Sequence, residues 1–265
     1  MKIECQKYLI ENNMSTFLFA NGPLHAPIHP ISLTDFKYVS SMETKFKISE
    51  QYMSFSNDDF KIVDMNSNRT AFLVSGKNVS LRQQKFMFDT ENNLIWTMKH
   101  NLFKIFGTKY IISNSQGKDI FTIKAHHRWF ANSGKKLSID LPIGSIVLES
   151  SKQDKISVIT LQFGGTILPI ARIERTLHSA RNVIGNVQDY ELTVAANVDI
   201  AAIISLVIAL DEQGEKDEKS QQTGGGIIKP GHSNPADSHS NMAASSSSIN
   251  RIRYPRYYQT TGFDT

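Results

Sequence analysis

One cysteine, Cys5, stands in 265 residues, which rules out an internal disulfide and any zinc site built on cysteines. Charge of one sign is also scarce. There are 29 Lys/Arg against 25 Asp/Glu, a net +4, which neither calls for a nucleic-acid partner nor excludes a local basic patch for anionic lipid. The longest apolar run, Val198 to Leu210 (VDIAAIISLVIAL), would reach only about 20 Å as a helix, short of the ~30 Å hydrocarbon core of a bilayer. The opening MKIECQKYLIENN lacks the apolar core of a secretory signal. An intracellular, cytoplasmic protein is therefore expected, and the sequons at Asn68 and Asn78 read as chance.

Catalytic patterns are missing as well. Gly164-Gly165 and Gly224-Gly225-Gly226 sit in no phosphate-loop context, and no serine lies in a G-x-S-x-G elbow. His126 and His127 would point to opposite faces of a strand, and no carboxylate stands at ligand spacing beside them; His100 and His178 lie elsewhere. No catalytic residue, metal or cofactor is expected.

What is present is organised around Val198–Leu210. Apart from Asp199 and Ser205 the run is apolar on every face, so a helix here must be buried all round. Its Ile and Val content also permits a strand, but Ala201, Ala202, Ala209 and the length favour helix. Asn197 or Asp199 can cap the first turn, and Asp211, Glu212 and Gly214 end the run. Ile200, Ile203, Ile204, Leu206, Val207, Ile208 and Leu210 are then core residues of a solitary helix.

Nearly everything upstream reads as strand. After a segment with Pro23, Pro27 and Pro30, extended but no central strand, short β-branched and aromatic runs follow one another: 45–49, 52–56, 60–65, 70–76, 85–90, 93–100, 109–115, 119–125, 136–140, 145–150, 155–163, 167–175 and 190–196. Turn residues separate them, among them Asn66-Ser67-Asn68, Glu91-Asn92-Asn93 and Gln116-Gly117-Lys118. This grammar predicts a mainly β, closed or two-layer antiparallel structure. FKIVDMNSNRTAFLV, FMFDTENNLIWTM and YIISNSQGKDIFTI share one plan, which is either an internal repeat or what successive hairpins look like.

Composition divides the chain into a loosely ordered extension (1–22), a folded domain (23–213) and a low-complexity tail (214–265) predicted to be disordered. The tail ends in RIRYPRYYQTTGF (251–263), whose interleaved Arg and Tyr suit contact with a protein, acidic lipid or RNA, or equally form an unused tail end; a nucleic-acid partner is not expected.

The stretch HPISLTDFKYVSSMETKFKISEQYMSFSNDDFKIVDMNSNRTAFLVSG resembles the opening of the LURP-one-related proteins. Phe60, Ile62 or Val63, Asp64, Asn66 and Asn68 stand at the positions of that family's hairpin motif. SLRQQKFMFDTENNLIWTMKHN (80–101) is similar to its next hairpin, and DYELTVAANVDIAAIISLVIALDE (189–212) to its terminal strand and helix. The resemblance covers roughly 23–213; residues 126–137 and the strand containing Pro169 do not follow it. It implies a tubby C-terminal-like fold: a closed antiparallel β-barrel of about twelve strands around a central hydrophobic C-terminal helix. It also implies a non-enzymatic protein with no catalytic residues to transfer, in a family some of whose members are linked to plant defence. Tubby proteins bind phosphoinositides, and phospholipid scramblases share the fold.

Two basic sets are candidates for lipid contact. Lys77, Arg82, Lys85, Lys99 and Lys104 fall near two loop ends that could converge on a phosphate; the alternative is scattered solubilising lysine. Lys124, Arg128, Trp129 and Phe130 form a basic aromatic loop suited to a membrane surface, or equally to packing back on the barrel. The leading expectation is an adaptor docking peripherally on anionic phospholipid, a phosphoinositide. The alternative is an intracellular scaffold or regulatory barrel without a lipid role, using residues 251–263 for a protein contact. A scramblase-like role is the third.

Overall fold

Alternation along the strands sets the architecture. In β1 (Thr44–Glu50) Phe46 and Ile48 are buried while Lys45 and Lys47 are exposed. In β12 (Asp189–Val194) Tyr190, Leu192 and Val194 are buried and Glu191 is exposed. A period of two gives each strand one apolar face, and a sheet with one such face must close on a core. In the computed structural model, which describes residues 19–50, 59–77, 84–101, 108–126, 134–150, 156–176 and 189–223, the sheet closes on itself.

The strands between are β2 (Phe60–Asp64), β3 (Arg69–Lys77), β4 (Gln84–Asp89), β5 (Leu94–Asn101), β6 (Lys109–Asn114) and β7 (Asp119–His126), then β8 (Lys135–Leu141), β9 (Gly144–Ser150), β10 (Ile156–Phe163) and β11 (Thr166–Thr176). Each pairs antiparallel with its sequence neighbours, and β1 pairs with β12 to complete a closed twelve-stranded barrel. Closure leaves no edge strand to template association. Of the expected strands, 52–56 lies outside the described residues.

Three hairpins share one construction. β2–β3, β4–β5 and β6–β7 each shift register just before the turn, at Ile62/Val63, Met87/Phe88 and Ile112/Ser113. In each, the last strand residue (Asp64, Asp89 or Asn114) accepts the amide of the residue two ahead through its own side chain. Asn68, Asn92 and Gly117 then take positive φ, the left-handed conformation those residue types tolerate best. The three units similar in sequence are thus alike in geometry.

Inside runs α1 (Ile200–Thr223). From Ile200 to Glu212 it is buried on every side, including all seven residues expected in its core-facing run. A single segment threaded through a barrel has no neighbour for its backbone groups, so only a helix can satisfy them. The helix also runs about a dozen residues beyond the apolar stretch, to Thr223, covering the first part of the segment read as a disordered tail. The remainder of that tail, and residues 1–18, lie outside the described residues.

Asp199 is the cap of α1. Its Oδ1 accepts the Ala202 amide at 3.0 Å, and its Oδ2 accepts the Leu33 and Thr34 amides at 2.8 and 2.7 Å. One carboxylate therefore caps the helix and fastens the proline-containing segment over the barrel mouth. Asn197 adds to this: it donates its amide to the Ser40 carbonyl, accepts the Ile31 amide and donates its side chain to the Pro27 carbonyl. His25 donates to the Pro169 carbonyl at 2.8 Å, and Lys37 reaches Asp89 at 3.5 Å. The segment thus crosses from β11 to the β4–β5 turn. Pro169 itself sits where β10 and β11 slip register, the place in a sheet where a missing amide is harmless.

Candidate binding surface

With α1 filling the barrel, chemistry is left to the two ends and the outer wall. The topology makes the ends different. At one end lie the short turns of β2–β3, β4–β5, β6–β7, β8–β9 and β10–β11, the start of α1, and the cap of residues 23–40. At the other lie the connections 51–59, 78–83, 102–108, 127–134, 151–155 and 177–188 and the exit of α1. These are called here the capped end and the open end.

Charge divides with them. By chain position, the strand-terminal residues and connections of the open end hold nine Lys/Arg (Lys77, Arg82, Lys104, Lys109, Arg128 and Lys135, then Lys152, Lys155 and Arg181) against five Asp/Glu, and the exit of α1 adds Lys216 and Lys219 against Glu215, Asp217 and Glu218, leaving aside the buried Asp211 and Glu212. The same definition, with the cap included, gives the capped end three Lys/Arg against six Asp/Glu, leaving aside the buried cap residue Asp199.

Both basic sets picked from the sequence belong to the open end by chain position. Lys77 closes β3 there, and Lys99 lies two residues before the end of β5, half-buried on the wall. Arg82, Lys104, Arg128, Trp129 and Phe130 lie outside the described residues. Lys124 is on β7, where its ammonium bonds the Asp140 carboxylate; its neighbour Lys136 meets Glu149 at 2.8 Å.

Lys85 is a correction. It is 3 % exposed, inside the barrel. Its ammonium stands 2.8 Å from Glu212 Oε1 and 4.9 Å from the centre of the Phe60 ring. Lys85 and Met87 are two apart on β4 and so share the inward face; that parity is the clue in the sequence. A buried ammonium neutralised by a buried carboxylate is not available to a lipid phosphate, and it leaves the candidate set.

The Lys85–Glu212 pair belongs to a polar layer where α1 approaches the open end. One residue back, Asp211 accepts a hydrogen bond from the Tyr190 hydroxyl at 2.6 Å, and Arg175 stands over the Tyr190 ring. Burial first, then the adjoining Asp211 charge, push the Tyr190 hydroxyl far above its ordinary range, so it remains a neutral donor. Sequence reading took Asp211 and Glu212 as the end of the run and missed that β4 and β12 hold partners for them.

Among the described residues no group of His, Cys, Asp and Glu is arranged to hold a metal, and no helix is long and apolar enough to cross a membrane. His126 Nε2 lies 2.7 Å from Ser138 Oγ on the outer wall, a half-buried polar contact.

A family model described as LURP-one-related matches residues 44–211. That span includes both segments that the sequence resemblance left out, 126–137 and the Pro169 strand, while the cap lies before it. Protein LURP-one-related 10 of Arabidopsis thaliana is 22% identical over 185 residues, 65% of this chain and 91% of that protein. An X-ray structure of another Arabidopsis thaliana protein aligns with 69% of this chain and 98% of that one, at 18% identity and a TM-score of 0.47.

Proposed function

The chain belongs to the LURP-one-related family, and from that premise we propose that it is a non-enzymatic binding module whose open end docks on anionic phospholipid, a phosphoinositide headgroup being the best-fitting class. What supports this reading is the balance of charge by chain position: eleven Lys/Arg against eight Asp/Glu in the strand-terminal residues, connections and helix exit of the open end, beside a capped end of opposite balance. Clustered Lys and Arg near a membrane contribute about 1 kcal/mol each toward an anionic surface. Lys77, Arg82, Lys99 and Lys104 border two adjacent connections and form the proposed phosphate contact; Lys85 serves the interior instead. Arg128, Trp129 and Phe130 occupy the β7–β8 connection at the same end and supply an aromatic contact at the headgroup level.

The interior favours binding over chemistry. α1 fills the barrel, and the polar groups beside it, Lys85, Glu212, Tyr190 and Asp211, are engaged with one another. The test replaces Lys77, Arg82 and Lys104 together by Gln. Vesicle affinity should fall at least tenfold, as expected for three contacts of that size, with the thermal midpoint unchanged. Equal affinity of variant and wild type for phosphoinositide vesicles would remove the open end from the account and favour a protein-binding barrel without a lipid role.

A further inference from the structure

The capped end carries a second surface. Seven large hydrophobic side chains are exposed here; the described residues, which leave out nearly all of the open-end connections, hold one more, Leu73 on the barrel wall. Ile28 and Phe36 project from the cap and Met42 from just beyond it, at 91%, 66% and 63% exposure. Met65, Ile143, Phe163 and Ile167 stand at the surrounding hairpin ends, Ile143 at 81%. Isolated exposed hydrophobics are ordinary on any protein; seven carried by the cap and the hairpin ends around it are a group. The cap beneath them is held by at least seven hydrogen bonds to Asp199, Asn197 and Pro169, so they are presented on a fixed surface.

The charge around them selects the occupant. Among the described residues, Asp35, Glu43, Asp64, Asp89, Glu91 and Asp119 outnumber Lys37, Lys45, Arg69 and Lys118 at this end. An anionic bilayer is repelled by this rim. A second copy docking through the same end would set two acidic rims against each other. A peptide segment with apolar side chains on one face and Lys or Arg beside them satisfies both features, since complementary charge steers the encounter and apolar anchors hold it.

We propose that the capped end is a docking surface for a basic, amphipathic protein segment. The inference goes beyond the lipid reading and does not rest on it, because the two use opposite ends of the barrel. If both hold, a membrane met by the open end leaves the capped end facing away, free to recruit a protein.

The experiment uses the full chain and a labelled synthetic 18-residue helical peptide of Lys and Leu, with a Glu and Leu counterpart as control, read by fluorescence anisotropy. The Lys/Leu peptide should bind, and binding should weaken as salt rises. Phe36→Ser with Met42→Ser and Ile143→Ser should weaken it about tenfold, and so should Glu43→Lys with Glu91→Lys. All five positions are exposed, so melting should hardly change. Lys77→Gln with Arg82→Gln and Lys104→Gln should leave peptide binding intact, which separates this surface from the lipid site. Undiminished affinity in both capped-end variants would overturn the proposal, as would equal binding of the Glu/Leu peptide. Sedimentation of the wild type that shows self-association abolished by the Ser variants would assign the surface to a second copy instead. Neutral vesicles bound by the wild type and lost by the Ser variants would assign it to a bilayer.

Discussion

Replacing Lys85 by Met removes one half of a buried ion pair. Lys85 and Glu212 have side chains only 4% and 8% exposed, with the ammonium 2.8 Å from the carboxylate. Met keeps most of the apolar stem that packs near Phe60, so the cost falls mainly on Glu212, left with its charge in a desolvated place. Truncating one partner of such a pair costs about 3–5 kcal/mol. Glu212→Leu on its own should cost a similar amount by removing the carboxylate 2.8 Å from the buried ammonium. The double variant is the informative one: exchanging both charges for apolar groups is often neutral or stabilising. A double-mutant cycle from urea melts should therefore return a coupling of at least about 2 kcal/mol, with the double variant more stable than either single one. A loss under about 1 kcal/mol for Lys85→Met, with no coupling to Glu212→Leu, would refute this and return Lys85 to the surface set.

Further outcomes follow from the same contacts. Ile204 is fully buried on α1, so Ile204→Ala should cost about 2–5 kcal/mol in a denaturant melt, whereas Ile204→Asp should abolish cooperative unfolding. Asp199→Ala should cost more than the usual ~0.5–2 kcal/mol of a lost cap, because the Leu33 and Thr34 amides lose their acceptor too; faster proteolysis within residues 23–40 would accompany it, and a melt shifted by no more than a cap's worth would show that the segment is held by other contacts. Tyr190 has its hydroxyl raised well above 10 by burial and by Asp211. Its contribution is fully present below about pH 10 and is lost as pH rises beyond that, since the unfolded chain ionises there and the folded one does not. Wild type should thus lose stability between pH 9.5 and 11.5, conditions chosen for the assay, by up to roughly 1.4 kcal/mol per unit more than Tyr190→Phe; parallel curves would contradict the buried hydroxyl.

Local chemistry made most of the barrel legible. Period-two alternation in runs such as KFKIS and YELTV, with Asn and Gly at the turns, gives strands whose neighbours in sequence are neighbours in space, so one hairpin after another can be read without long-range information. VDIAAIISLVIAL needed only its all-round apolarity to be placed in the middle. What escaped were features whose partners lie far along the chain. The cap of residues 23–40 reads as a proline-rich lead-in until Leu33 and Thr34 meet Asp199, more than 160 positions away. Glu212 looks like the end of a helix until Lys85 is seen across from it. The length of α1 was hidden for a different reason. EQGEKDEKSQQT is polar and resembles tail, yet it is rich in Glu, Lys and Gln, which favour helix once a buried run has supplied the costly nucleus. The candidate lipid residues were chosen by closeness to loop ends; that criterion put them all toward the open end but could not tell an outward lysine from an inward one.

The lipid account stands on one direct measurement: sedimentation of the purified full chain with neutral vesicles carrying or lacking phosphoinositide, repeated over a series of salt concentrations. Binding that requires phosphoinositide and falls steadily as salt screens the open-end cations is the predicted result. Absence of binding at low salt, or binding indifferent to both headgroup and salt, would contradict it.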